Sequence, residues 1–93
     1  MITVVVCIGN SDDKLSQAKW SSFYCCVDYT MGSFAKKRHF TGCSNPTASH
    51  QNACWVVEVE ESDMPLLKQD LAKLRQEFGQ KSVALVAGAT EFV

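Results

Sequence analysis

The chain has 93 residues, 46% of them apolar, and a formal net charge of -1. That is one domain, residues 1–93, with enough apolar material for a packed core and no room for a second. The near-neutral balance excludes a general attraction to nucleic acid or to anionic lipid. Five cysteines, an odd number without framework spacing, read as free thiols of a reducing cytoplasm. Met1 runs straight into Ile2-Thr3-Val4 with no basic segment or cleavage pattern, so no signal peptide is expected. No apolar run approaches the ~18 residues of a membrane span.

ITVVVCI (2–8) is continuously apolar and β-branched, as suits a central strand. A loop follows, Gly9-Asn10-Ser11-Asp12-Asp13-Lys14, and Ser16 is placed to cap a helix. Trp20, Phe23, Tyr24, Val27, Met31 and Phe34 then fall on one helical stripe, which predicts a helix from Ser16 to Ala35, with Gly32 a candidate for an earlier end. The basic run Lys36-Lys37-Arg38-His39 reads as a solvated helix terminus. RHFTGC (38–43) predicts a short strand, and SNPTASHQN (44–52) a polar loop. ACWVVEVE (53–60) alternates: Trp55, Val57 and Val59 face inward, while Cys54, Val56, Glu58 and Glu60 form a side that becomes wet toward its end. Ser62 or Asp63 caps a second helix with the stripe Leu67, Leu71, Leu74 and Phe78, closed at Gly79. SVALVA (82–87) predicts the last strand, continued by ATEFV past a bulge at Gly88.

The order β-α-β-β-α-β predicts an α+β, ferredoxin-like fold: a four-stranded antiparallel sheet with its first and third strands central and two helices on one face. The other face is solvated or covered by a second copy, so a homodimer or higher homo-oligomer is expected. The start of the third strand is assigned to the sheet end opposite Ile8. On that assignment Asn10 and Asn52 share a ligand only across a dimer or through a long loop.

The Gly9–Lys14 loop joins a strand end to a helix start, where unpaired N–H groups collect. Asn10, Ser11, Asp12, Asp13 and Lys14 can bind a polar ligand there, although Asn, Ser and Asp also suit a plain connection. Gln51 and Asn52 precede Trp55, and two amides beside an indole can read a planar polar group. His39, Cys43, His50 and Cys54 offer soft ligands, but strand residues four apart lie ~13 Å from each other, too far for one ion. Cys26 falls near the buried side of the first helix with Cys25 beside it, and burial makes thiols inert. Spacing brings none of Asp12, Asp13, Glu58 and Glu60 together for acid–base work. No catalytic residue, metal or cofactor is expected.

GNSDDKLSQAKW, QNACW with its acidic-ended strand, and TEF together resemble a family of small actinobacterial and actinophage proteins. Its members carry an IGNSDDKL-T-Q-x-x-W opening, a QNACW block and an RQxSIA…TEF ending. Gln80-Lys81-Ser82-Val83 stands here for the RQ-x-S-I stretch, and residues 25–50 are unlike the family, so a metal or thiol site there is no family property. The matching residues are mostly polar or aromatic: Asn10, Ser11, Asp12, Asp13, Lys14, Trp20, Gln51, Asn52, Trp55, Thr90 and Glu91. Such a set suits a binding pocket better than a packing set and holds no nucleophile with a base.

The resemblance implies a non-enzymatic binding protein, a phage counter-defence factor that sequesters a nucleotide-derived signalling molecule in the host cytoplasm. Asn10, Ser11 and the helix start would hold phosphate or ribose, and Trp20 or Trp55 would stack on a base. Gln51 and Asn52 would read the base edge, with Thr90-Glu91 closing the pocket across a dimer. Two alternatives stand beside it. One is a protein–protein interaction module that inhibits a host protein through its open sheet face. The other is a metal-dependent hydrolase using Asp12 and Asp13.

Overall fold

A computed structural model describes residues 1–10, 14–45 and 48–93. The elements are β1 (Ile2–Gly9), α1 (Gln17–Phe34), β2 (Lys37–Cys43), β3 (Asn52–Val59), a 3₁₀ turn (Glu61–Asp63), α2 (Met64–Glu77) and β4 (Ala84–Ala89). They form the expected βαββαβ α+β fold, an antiparallel sheet in the order β2-β3-β1-β4. The strands with the most buried residues, β1 and β3, are the central pair, because only there are both backbone edges covered.

Alternation sets the faces. Val4, Val6 and Ile8 of β1 and Ala53, Trp55, Val57 and Val59 of β3 are buried toward the helices. Trp20, Phe23, Val27 and Met31 of α1 and Leu67 and Leu71 of α2 complete the core. Each such large apolar side chain contributes roughly 1.5–3 kcal/mol when fully buried. Ser16 caps α1, its Oγ accepting the Lys19 N–H at 3.2 Å. Gly32 does not end the helix. It lies inside it, where a side chain would come within 3.1 Å of the Arg38 guanidinium.

Several expectations are corrected. First, the antiparallel pairing of β1 and β3, itself as expected, puts Gly9 opposite Asn52. Antiparallel neighbours put one strand's end beside the other's start, so Asn10 and Asn52 lie at the same end of one chain's sheet. Second, Lys37, Arg38 and His39 belong to β2 and are not a helix terminus. A register shift between Arg38 and Phe40 marks a bulge there, whereas β4 pairs regularly through Gly88 and ends at Ala89. Third, β4 starts at Ala84, where it meets Cys7, and Ser82 and Val83 precede the strand. Fourth, Glu58 is buried, with 5% of its surface exposed. The chain after β4 folds back over the open face: the Thr90 hydroxyl bonds that of Thr3, and the Phe92 ring lies 6.1 Å from His39. Glu58 sits between them on β3 and is opposite Thr3. Among the described residues, no helix is long and apolar enough to cross a membrane.

Candidate functional site

The end of β1 gathers part of the expected set. The Asn10 backbone N–H donates to the Gln51 carbonyl at 2.7 Å, extending the β1–β3 ladder by one bond. Its side chain closes the following loop. The amide oxygen accepts the Leu15 N–H and the amide nitrogen donates to the Leu15 carbonyl, both at 3.0 Å. Asn10 is 1% exposed, and both ends of its amide are engaged by Leu15. It therefore builds the loop instead of presenting itself to a ligand. Ser11, Asp12 and Asp13 lie outside the described residues. His50, with a left-handed φ of 54°, turns the polar loop into β3 and thereby sets Gln51 beside Asn10.

Two hollows flank this junction. One, of about 260 Å³, lies between the β1 end and the α2–β4 connection and is walled by Gly9, Lys14, Gln80, Lys81 and Ser82. The Gly79 cap makes this wall. Its φ of 64° lets the Gln80 N–H reach back to the Arg75 carbonyl at 2.9 Å. The other hollow, of about 250 Å³, is lined by Gln17, Trp20, Ser21 and Tyr24 of α1, with Ser44 and Gln51 across from them. Gln51 is buried and its amide donates to the Gln17 side-chain oxygen at 3.2 Å. Burial, and secondarily the Asp28 charge, raises the Tyr24 hydroxyl above the ordinary tyrosine pKa, so it is a neutral hydrogen-bonding group at physiological pH. Aromatic walls with a buried amide and hydroxyls suit a flat, polar-edged molecule.

Neighbouring strand residues point to opposite faces, so Asn52 is not in this hollow. It is exposed, and its backbone is tied to Ser44 by bonds of 2.9 and 3.0 Å. Trp20 contributes to the hollow from a nearly buried position, edge-on to Phe23. Trp55 does not contribute. It is fully buried beneath Tyr24, whose ring lies 5.2 Å away, and its indole N–H donates to Asp28 at 2.9 Å. An indole enclosed in this way has no free face for a base. Asp28 also takes a 2.6 Å bond from Arg38, which reaches it from β2. Burial works to raise the Asp28 carboxyl, but the bonds from Trp55 and Arg38 and the Arg38 charge outweigh it, and its pKa falls below the ordinary value.

Thr90 and Glu91 lie at the other end of the sheet, beside Thr3. The described members of the set are thus not one pocket within a chain. Near Thr90 the structure instead assembles a cluster the sequence reading missed: Glu58 bonded to His39 at 3.0 Å, the Phe92 ring 6.1 Å from that of His39, and the Lys37 ammonium 6.0 Å from the Phe92 ring. Gln17, Ser21 and Tyr24 were also missed, although their spacing along α1 marks the flank beside the apolar stripe. Cys25 is exposed, not turned into the core. Among the described residues, no three His, Cys, Asp or Glu side chains are grouped to hold a metal ion.

No protein-family profile and no curated protein sequence matches the chain. A solved structure does: a phage SAM lyase in complex with S-methyl-5'-thioadenosine. The alignment covers 95% of this chain and 80% of that one, with a TM-score of 0.56 and 12% sequence identity. At that identity the likeness establishes a shared α+β fold.

Proposed function

We propose that the chain binds a nucleotide-derived small molecule in the hollow between α1 and the start of β3. The observation that carries this is the buried Gln51 amide, held by Gln17 and set among Trp20, Tyr24, Ser21 and Ser44. Gln51 and Gln17 read the edge of a base, the aromatic side chains form its wall, and Lys14 and Lys81 of the neighbouring hollow serve the charged part of the ligand. The nucleoside bound by the fold neighbour supports the ligand class. The phage origin of that neighbour, with the motif resemblance, supports a counter-defence role in a host cytoplasm, in which the ligand is a signal removed from circulation.

Calorimetry with S-methyl-5'-thioadenosine, S-adenosylmethionine, cyclic nucleotides and ADP-ribose tests this. Saturable binding of at least one is expected. Ser21→Trp, an exposed position whose new side chain fills the hollow, weakens it by about tenfold or more. No binding by any of them at high micromolar concentration overturns the reading. Chromatography of the recovered ligand distinguishes sequestration, which returns it unchanged, from turnover.

A second reading, a module that docks on a host protein or a second copy through the open sheet face, is favoured by Phe40 and Val86, which are 55% and 66% exposed there.

A further inference from the structure

Cys7 of β1 and Cys54 of β3 are directly opposite one another on the two central strands. Both sit on the face away from the helices, and their sulfurs are 3.6 Å apart, one thiol donating to the other. Opposed residues of antiparallel strands have Cα atoms ~4.5–5.5 Å apart, within the ~4.4–6.8 Å that a disulfide spans. Closing to a bond of ~2.05 Å therefore needs side-chain rotation and no movement of the ladder. The remaining thiols are placed differently: Cys25 and Cys26 are successive residues of α1, and Cys43 faces Ala53 at the end of β2.

We propose that Cys7 and Cys54 are a thiol–disulfide couple that exchanges with low-molecular-weight disulfides of the glutathione type. Cys7 is exposed and Cys54 half-buried, so an incoming disulfide meets Cys7 first. Burial, together with the neighbouring Cys7, raises the Cys54 thiol above the ordinary value and keeps it protonated until its turn. The Cys7 thiol loses its proton to solvent, and its thiolate attacks one sulfur of oxidised glutathione. A mixed disulfide forms and one glutathione thiolate leaves and is protonated. Cys54, deprotonated in turn, attacks the Cys7 sulfur, forms the cross-strand disulfide and expels the second glutathione thiolate, which takes up a proton. Two protein thiols and one glutathione disulfide become one protein disulfide and two glutathione thiols. Cys7 also belongs to the wall of the hollow containing Lys14 and Lys81, so the two redox states present different walls there.

The test uses the full chain, reduced, desalted and equilibrated in glutathione buffers of graded ratio, then acid-quenched and alkylated for intact mass and a non-reducing digest. Of five alkylatable thiols, two are expected to disappear together as the buffer becomes oxidising, with a linked peptide joining Cys7 to Cys54. Cys7→Ser and Cys54→Ser each abolish the linked peptide, and Cys43→Ser leaves it. The proposal is overturned if all five thiols stay alkylatable across the series. Oxidation that stops at mixed disulfides, or a linked peptide that joins other cysteines, overturns it equally.

Discussion

One amide decides how the chain leaves β1. Asn10 is buried, and its side chain makes two bonds to the Leu15 backbone. Asn10→Ala removes both and leaves the Leu15 backbone groups to find other partners. A loss of about 1–3 kcal/mol in urea unfolding is expected, with Asn10→Asp intermediate because it keeps the acceptor. Asp28 gives a pH-dependent counterpart. Its folded-state pKa is depressed, so its contribution is fully present above the unfolded carboxylate value of ~3.9 and is lost as pH falls through the folded value. Thermal melts should show wild type more stable than Asp28→Asn at neutral pH. The gap should narrow once pH drops below that point, and an unchanged gap down to strong acid would contradict the assignment. Asn10 shows where reading the chain alone succeeds and stops. Its residue type marked a loop, but whether the amide turns outward to a ligand or inward to Leu15 depends on distances that no spacing encodes.

The helices and strands themselves were readable because each follows one period. The stripes Trp20–Met31 and Leu67–Leu71, and the alternation of β3, are the buried faces observed. What periodicity cannot report is what later crosses a face. Glu58 sits on the side of β3 away from the helices, yet it is buried, bonded to His39 and beside the segment that returns from beyond the last strand to Thr3 and His39. The antiparallel pairing of β1 and β3 was readable, but which of their ends it brings together was misjudged, and that decides that Gln51 meets Asn10. The end of α2 is the cleanest test of a conformational rule. Gly79 has a left-handed φ of 64°, and a methyl group there would touch nothing within 4 Å. Gly79→Ala should therefore cost about 1 kcal/mol of chemical stability through backbone strain alone, with the core packing unaffected in the near-ultraviolet spectrum. A much larger loss would mean that the cap also packs.

The fold covers one side of its sheet and leaves the other to Val5, Val56, Val86 and Phe40, with the last residues lying across one end. If that face meets a second copy, sedimentation should give a homo-oligomer for the wild type. Phe40→Ser with Val86→Ser should shift it toward monomer while binding in the α1 hollow persists, because that hollow lies on the helix side. A monomeric wild type would return the face to solvent or to a different partner. The two sides of β3 were readable from its alternation, but the two hollows were not, because they depend on how the loops and α1 meet the sheet at the β1 end.

The two borders of the sheet are not alike. β2 ends it with Lys37, Arg38 and a bulge, devices that discourage a further strand from pairing. β4 ends it with ALVAGA, uncharged and in regular register throughout. Growth of the sheet by a strand from another molecule is therefore one-sided. Concentrated protein should associate edge to edge along β4, and a lysine in place of Ala87 is the change that would raise the concentration at which light scattering first appears.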